Sequence, residues 1–185
     1  ALKSATISGG VTNATWSLTH GGLGTVKIVG AVNALDLGAP GGATSLTTGN
    51  LTNSTIDLGG AASLTMGNVA NTDLTLGGAL KLASAQQWVG GSITADTITT
   101  LNITGKLGGT GNLDGVAITA NNAAPAKTGI GTVSIAGNML NGSSIASTGD
   151  LGTVSILRDM IGSAISAASK INLVKVGKMV TSTVF

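Results

Sequence analysis

Apolar residues recur along this chain in triplets, each an apolar position followed three and five places later by two more. The triplets are Leu2, Ala5, Ile7; Leu23, Val26, Ile28; Ala43, Leu46, Thr48; Ala61, Leu64, Met66; and Ala79, Leu82, Ser84. They continue as Ile98, Leu101, Ile103; Ile130, Val133, Ile135; Leu151, Val154, Ile156; and Ile171, Val174, Val176. That makes nine units, whose starts lie 18 to 21 residues apart except for one longer step between Ile98 and Ile130. After each triplet comes a Gly or Asn turn and a lone apolar residue: Val11, Val32, Leu51, Val69, Trp88, Leu107, Met139, Met160 and Val180. A second alternating segment follows, with inward pairs Trp16 and Leu18, Leu35 and Leu37, Ile56 and Leu58, Leu74 and Leu76, and Ile93 and Ala95. Alternation with period two, punctuated by Gly, predicts strands and turns, not helices.

A unit this short cannot bury its own apolar side chains. Stacking copies about 4.8 Å apart turns them into continuous aliphatic columns and pairs each strand with the next. The pattern therefore predicts an all-β fold, a parallel β-helix of about nine rungs forming one β-solenoid domain over residues 1–185. A right-handed coil with two main strands and a short third per turn is expected, because crossovers between parallel strands are overwhelmingly right-handed. The long step predicts one rung with loop insertions, near 108–115 (GGTGNLDG) and 121–129 (NNAAPAKTG). The chain starts inside an almost complete rung and stops at Phe185 partway through another, with no capping helix and no signal-peptide pattern. Open solenoid ends expose unpaired strand edges, so a fragment or a stacking subunit is expected, with end-to-end contact to further repeats or identical subunits.

The two clearest copies, IGTVSIAGNMLNGSSIAS from Ile130 and LGTVSILRDMIGSAISA from Leu151, define a pattern: LGTVSI, Gly or Asp, Met, then GSxI. This resembles repeats of very large bacterial secreted and cell-surface β-helix proteins, and it covers essentially the whole chain. The resemblance implies a stalk, adhesin shaft or wall-associated fibre, located outside the cell or on its surface.

Composition narrows the chemistry. Of 185 residues 30 are Gly, only 9% are charged and 2% aromatic, so Ser, Thr, Asn and Gly must cover most of the surface. A net charge of +2, with no basic stripe, gives no reason to expect nucleic acid. There is no apolar run of about 18 residues, so no membrane insertion by helix is expected. The chain has no Cys, which excludes disulfides and thiol chemistry.

Candidate sites are few. Asp36 and Asp57 each precede an inward Leu, which predicts that they project outward from one column about 5 Å apart, with Asp73 on the next rung. Such a cluster, flanked by Thr15, Ser17, Thr55 and Thr75, suits a calcium ion or, more remotely, a polysaccharide-active enzyme; a solvated surface ladder explains it as well. All seven acidic residues are Asp, and the chain has no Tyr, one Arg (Arg158) and one His (His20, in a THGG turn). Catalysis is thereby disfavoured, and no small-molecule substrate is expected. Trp16 and Trp88 fall on inward columns and are read as core. GGTGNLDG resembles a glycine-rich calcium repeat, but its Asp is one position late and no second copy follows.

Outward hydroxyl pairs at Ser4 and Thr6, Ser45 and Thr47, Ser63 and Thr65, Thr132 and Ser134, and Thr153 and Ser155 suggest ice binding. Lys27, Lys81 with Ala83, Asn102, and Leu173 with Lys175 interrupt that ladder. Asn13, Asn33, Asn53, Asn71 and Asn141 recur near the turn between strands and suggest a partial asparagine stack. The expected function is that of a non-enzymatic extracellular structural rod, with a ligand-binding outer face (ice, or calcium-bridged glycan) as the alternative.

Overall fold

The structure, a computed structural model, describes residues 1–106, 110–121 and 127–185. Among them every element is a strand, and every pairing between strands is parallel. The chain is a β-solenoid of about nine turns, a parallel β-helix as the repeat requires.

Each turn carries three strand segments. The first is the triplet strand: Leu2–Ile7, Leu23–Ile28, Ala43–Thr48, Ala61–Thr65, Ala79–Ala85, Thr97–Ile103 and Thr128–Ile135, then the opening halves of Asp150–Ile161 and Ile171–Val180. The second is short and the third about four residues long, as in Leu51–Thr52 followed by Thr55–Leu58, or Met139–Leu140 followed by Ser144–Ser147. In several rungs these two run together as one bent strand, for example Asn68–Leu76 and Gln87–Ala95.

The inward positions stack into columns. One runs Val26, Leu46, Leu64, Ala83, Leu101, Val133, Val154, and another Leu37, Ile56, Leu74, Ile93, Ile118, Ile145, Ile165. All of these are buried. At about 1.5–3 kcal/mol for each large aliphatic side chain removed from water, the columns are the main stabilising term. Close stacking also dictates some glycines: a Cβ on Gly131 would lie 2.5 Å from the Thr99 carbonyl oxygen on the preceding rung.

Four details of register differ from the sequence reading. In the fifth rung Leu80, Ala83 and Ala85 face inward, not Ala79, Leu82 and Ser84. Both sets have the spacing, but the observed one turns three apolar residues inward, where the other would bury the hydroxyl of Ser84. Its two alanines offset the fully buried Trp88 of the same rung in a cross-section that must keep a constant packing density. Leu107 lies outside the described residues, and Leu113 holds the column place between Trp88 and Met139. Residues 113–114, assigned to the first insertion loop, are thus strand, while 108–109 and 122–126 lie outside the described residues. In the last rung Met179, not Val180, continues the column below Met160, because a bulge in the preceding strand shifts the pairing after Ile156. Finally, Leu35 and Leu37 both face inward, but it is Leu37 and Ala39 that align with Ile56 and Leu58.

Candidate functional site

That last shift separates the acidic cluster. Asp36 aligns with Thr55, and Thr55 with Asp73, whereas Asp57 aligns with Gly38 and Thr75. Asp57 therefore stands in a different column from Asp36, and Asp36 and Asp73 share a column two rungs apart, roughly 10 Å. The Asp73 carboxylate accepts a hydrogen bond from Ser92 Oγ at 2.7 Å. Among the described residues no three His, Asp or Glu side chains come together in a way that would hold a metal ion. Asp36 and Asp57, expected side by side on one column, are not so placed, because a one-rung slip of two residues moves a side chain to the neighbouring outward column.

On the first-sheet face the outward columns are Ser4, Thr25, Ser45, Ser63, Leu82, Thr100, Thr132, Thr153, Leu173 and Thr6, Lys27, Thr47, Thr65, Ser84, Asn102, Ser134, Ser155, Lys175. The interruption at the fifth rung is Leu82, not Lys81 with Ala83. Both places carry a hydroxyl in no more than two adjacent rungs. Trp88 is fully buried and Trp16, on the first rung, is partly buried against the core.

Between the second and third segments every rung bends through a left-handed residue. Asn13, Ala34, Asn53, Asn71, Gly90, Gly115, Asn141, Gly162 and Thr181 form one aligned column with φ between 46° and 68°. The asparagine stack predicted from sequence is this column, with Asn33 one place early. Asn33 Oδ1 accepts from Asn53 Nδ2 at 3.0 Å, and Asn53 Oδ1 from Asn71 Nδ2 at 3.4 Å. Asn tolerates this backbone region better than other side chains do, which is why it recurs.

Two further polar ladders escaped the sequence reading. One residue after the bend, or two in the case of Ser143, sits an inward Ser or Thr: Ser54, Thr72, Ser143, Ser163 and Ser182. Each donates to a nearby carbonyl, Ser54 Oγ to Thr52 at 2.8 Å and Ser143 Oγ to Leu140 at 2.7 Å, for example. Ser54 and Ser143 also accept the Leu35 and Val116 N–H groups of the preceding rung. The signal was an Asn or Gly followed closely by Ser or Thr, before the third strand. The second ladder precedes the lone column residue: Asn50, Asn68, Gln87, Asn112 and Asn138. Asn50 Oδ1 accepts the Asn68 N–H at 3.0 Å, Asn112 Oδ1 that of Asn138 at 2.8 Å, and Asn138 Oδ1 that of Asp159 at 3.0 Å. Asn68 Oδ1, in contrast, is buried with no partner.

This amide ladder borders a polar cavity of about 440 Å³, lined by Thr104, Gly105, Thr110, Asn112, Ala136, Asn138 and Arg158. A larger groove of about 600 Å³ follows the opposite corner of the first rungs, but Gly and Ala make most of its walls, with Lys3 and Lys81 on them. A scan against protein-family models and comparisons with curated proteins and with solved structures each found nothing that matches this chain.

Proposed function

We propose that this chain is a non-enzymatic structural segment, a stiff rod within a fibre, sheath or adhesin shaft outside the cell or on its surface. The observation that carries this reading is the continuity of the pairing. Each of the three strand segments aligns with its copy on the next rung along the length of the solenoid, through the rung that holds the insertions as well. Nine rungs at about 4.8 Å give a rod on the order of 40 Å long whose axis is crossed at every level by a hydrogen-bond ladder. Such a rod resists bending and leaves a protease few extended segments to grip. A weakly charged coat of Ser, Thr, Asn and Gly suits a surface with a mechanical task.

Ile7 and Trp16 in the first rung, and Val174 and Val176 in the last, are only partly covered, and Met179 and Phe185 are exposed. Further rungs of the same kind, in the same chain or in a second copy, would continue these columns.

The test is electron microscopy and small-angle scattering of the protein over a range of concentrations, with protease digestion alongside. Rods or filaments of uniform width that survive protease for hours support the reading. Compact particles that are cut within minutes across the strands overturn it.

A further inference from the structure

The long rung spends its first extra residues at one place, the corner between Ile103 and Leu113. The ends of that excursion are pinched together. Gly105 and Gly111 both have left-handed backbones, with φ of 66° and 72°, and a Cβ on Gly105 would meet the Gly111 Cα at 3.2 Å. Both ends are also tied to neighbouring rungs: Gly105 N–H donates to the Gln86 carbonyl and Gly137 N–H to the Gly111 carbonyl, each at 2.9 Å. Thr110 is held by Gln87, whose Oε1 accepts both its N–H at 3.2 Å and its Oγ1 at 3.0 Å. The wall of the cavity is thus built and braced, not draped.

The two threonines of that cavity are spoken for, Thr104 Oγ1 donating to the Ala85 carbonyl and Thr110 Oγ1 to Gln87, but three other donors there have no acceptor among the described residues. Asn112 and Asn138 commit their Oδ1 atoms to backbone N–H groups, which leaves both Nδ2 groups without a partner among the described residues. Arg158 is exposed, and its guanidinium has no acceptor among the described residues. Arg158 is the chain's single arginine, the other eight cationic side chains being lysines. The bulge after Ile156 is what gives this rung its extra residue. Guanidinium offers a planar fork that matches a carboxylate with two parallel hydrogen bonds, while primary amides pair with hydroxyls. No aromatic platform lines the cavity, so an uncharged sugar has nothing to stack on.

From this geometry we infer that the cavity binds an acidic saccharide, its carboxylate on Arg158 and its ring hydroxyls on the Asn112 and Asn138 amides. The cavity is supplied by three successive rungs, Thr104, Gly105, Thr110 and Asn112 in one, Ala136 and Asn138 in the next and Arg158 in the third. It therefore spans roughly 10 Å along the rod, room for one or two sugar rings. The site does not depend on the mechanical role: a rod without it, or a binding module that never assembles, are both distinguishable outcomes.

The experiment compares cellobiouronic acid with cellobiose, two disaccharides that differ by one carboxylate, by calorimetry and by shifts of the Asn side-chain amide resonances. Inorganic sulfate serves as the anion control. The acidic disaccharide is expected to bind saturably with a millimolar Kd and to move the Asn112 and Asn138 signals, with cellobiose and sulfate at least tenfold weaker. Arg158→Ala should weaken binding at least tenfold with the melting temperature unchanged, and Arg158→Lys should fall between. No binding up to about 10 mM, a weakness at which fewer than three kcal/mol of interaction remain, overturns the inference. So does equal binding of cellobiose or of sulfate, or full affinity in Arg158→Ala.

Discussion

Leu80 and Leu82 offer a sharp check on the register, because the repeat spacing buries Leu82 whereas the structure buries Leu80. Leu80 is 0% exposed and stacks between Ala61 and Ile98, while Leu82 is 36% exposed on the outer face between Ser63 and Thr100. Truncating a fully buried Leu to Ala removes its transfer energy and leaves a cavity, together about 2–5 kcal/mol. A rung clamped by strands above and below relaxes little, so Leu80→Ala should cost about 3 kcal/mol. For a chain of this length each kcal/mol moves Tm by about 2–4 °C, which puts the expected drop near 6–12 °C. Leu82→Ala loses only the covered part of its side chain and should cost at most about 1 kcal/mol. Thermal and urea unfolding followed by circular dichroism, at matched concentration, compare the two. If Leu82→Ala melts as low as Leu80→Ala, or lower, the register argued for the fifth rung is wrong.

Ala34 is the one aliphatic residue in the left-handed column, so Ala34→Gly should raise stability by up to about 1 kcal/mol despite the greater freedom of Gly when unfolded; a loss measured in urea would contradict the strain. Asn138→Ala strips the Asp159 N–H of its acceptor and should cost about 1 kcal/mol. Asn68→Ala, which deletes an oxygen with no partner, should lie within about 0.5 kcal/mol of the parent, and equal losses in the pair would deny the ladder its role. Because Asp36, Asp57 and Asp73 do not converge, millimolar calcium or a chelator should leave the melting curve unchanged; a rise of several degrees that vanishes in Asp57→Ala would restore the cation site.

The fold was legible because one rule, apolar at three and five places after an apolar start, recurs through nine rungs with Gly between and only Thr48 breaking it in the observed register. A solenoid asks little else of its sequence. Register was legible only where one reading of the rule was available. At Ala79 to Ala85 two readings differ by a single residue, and the choice depends on the volume of Trp88, which reaches the same core from elsewhere on the rung. At Leu35 to Ala39 three inward residues alternate, and nothing local says which pair meets Ile56 and Leu58; the acidic cluster was misplaced for that reason. The binding cavity could not be read at all, since it is assembled by residues from three rungs. Arg158 was visible as the chain's one arginine and Asn112 as part of the GGTGNLDG loop, while Asn138 drew no notice. Only stacking brings them to one wall.

The aligned left-handed bends have a consequence for symmetry. Every rung visits its three segments in the same order with the same bend between the second and third, so the solenoid has a head and a tail. A two-fold axis joining like ends would reverse that order and set the strands of the two copies antiparallel, against the parallel pairing found between every pair of rungs. Only translation and rotation along the axis carry the column of bends from one copy into the next. Such a heterologous contact does not close on itself, so copies that continue the column grow into an open polar filament and not into a dimer.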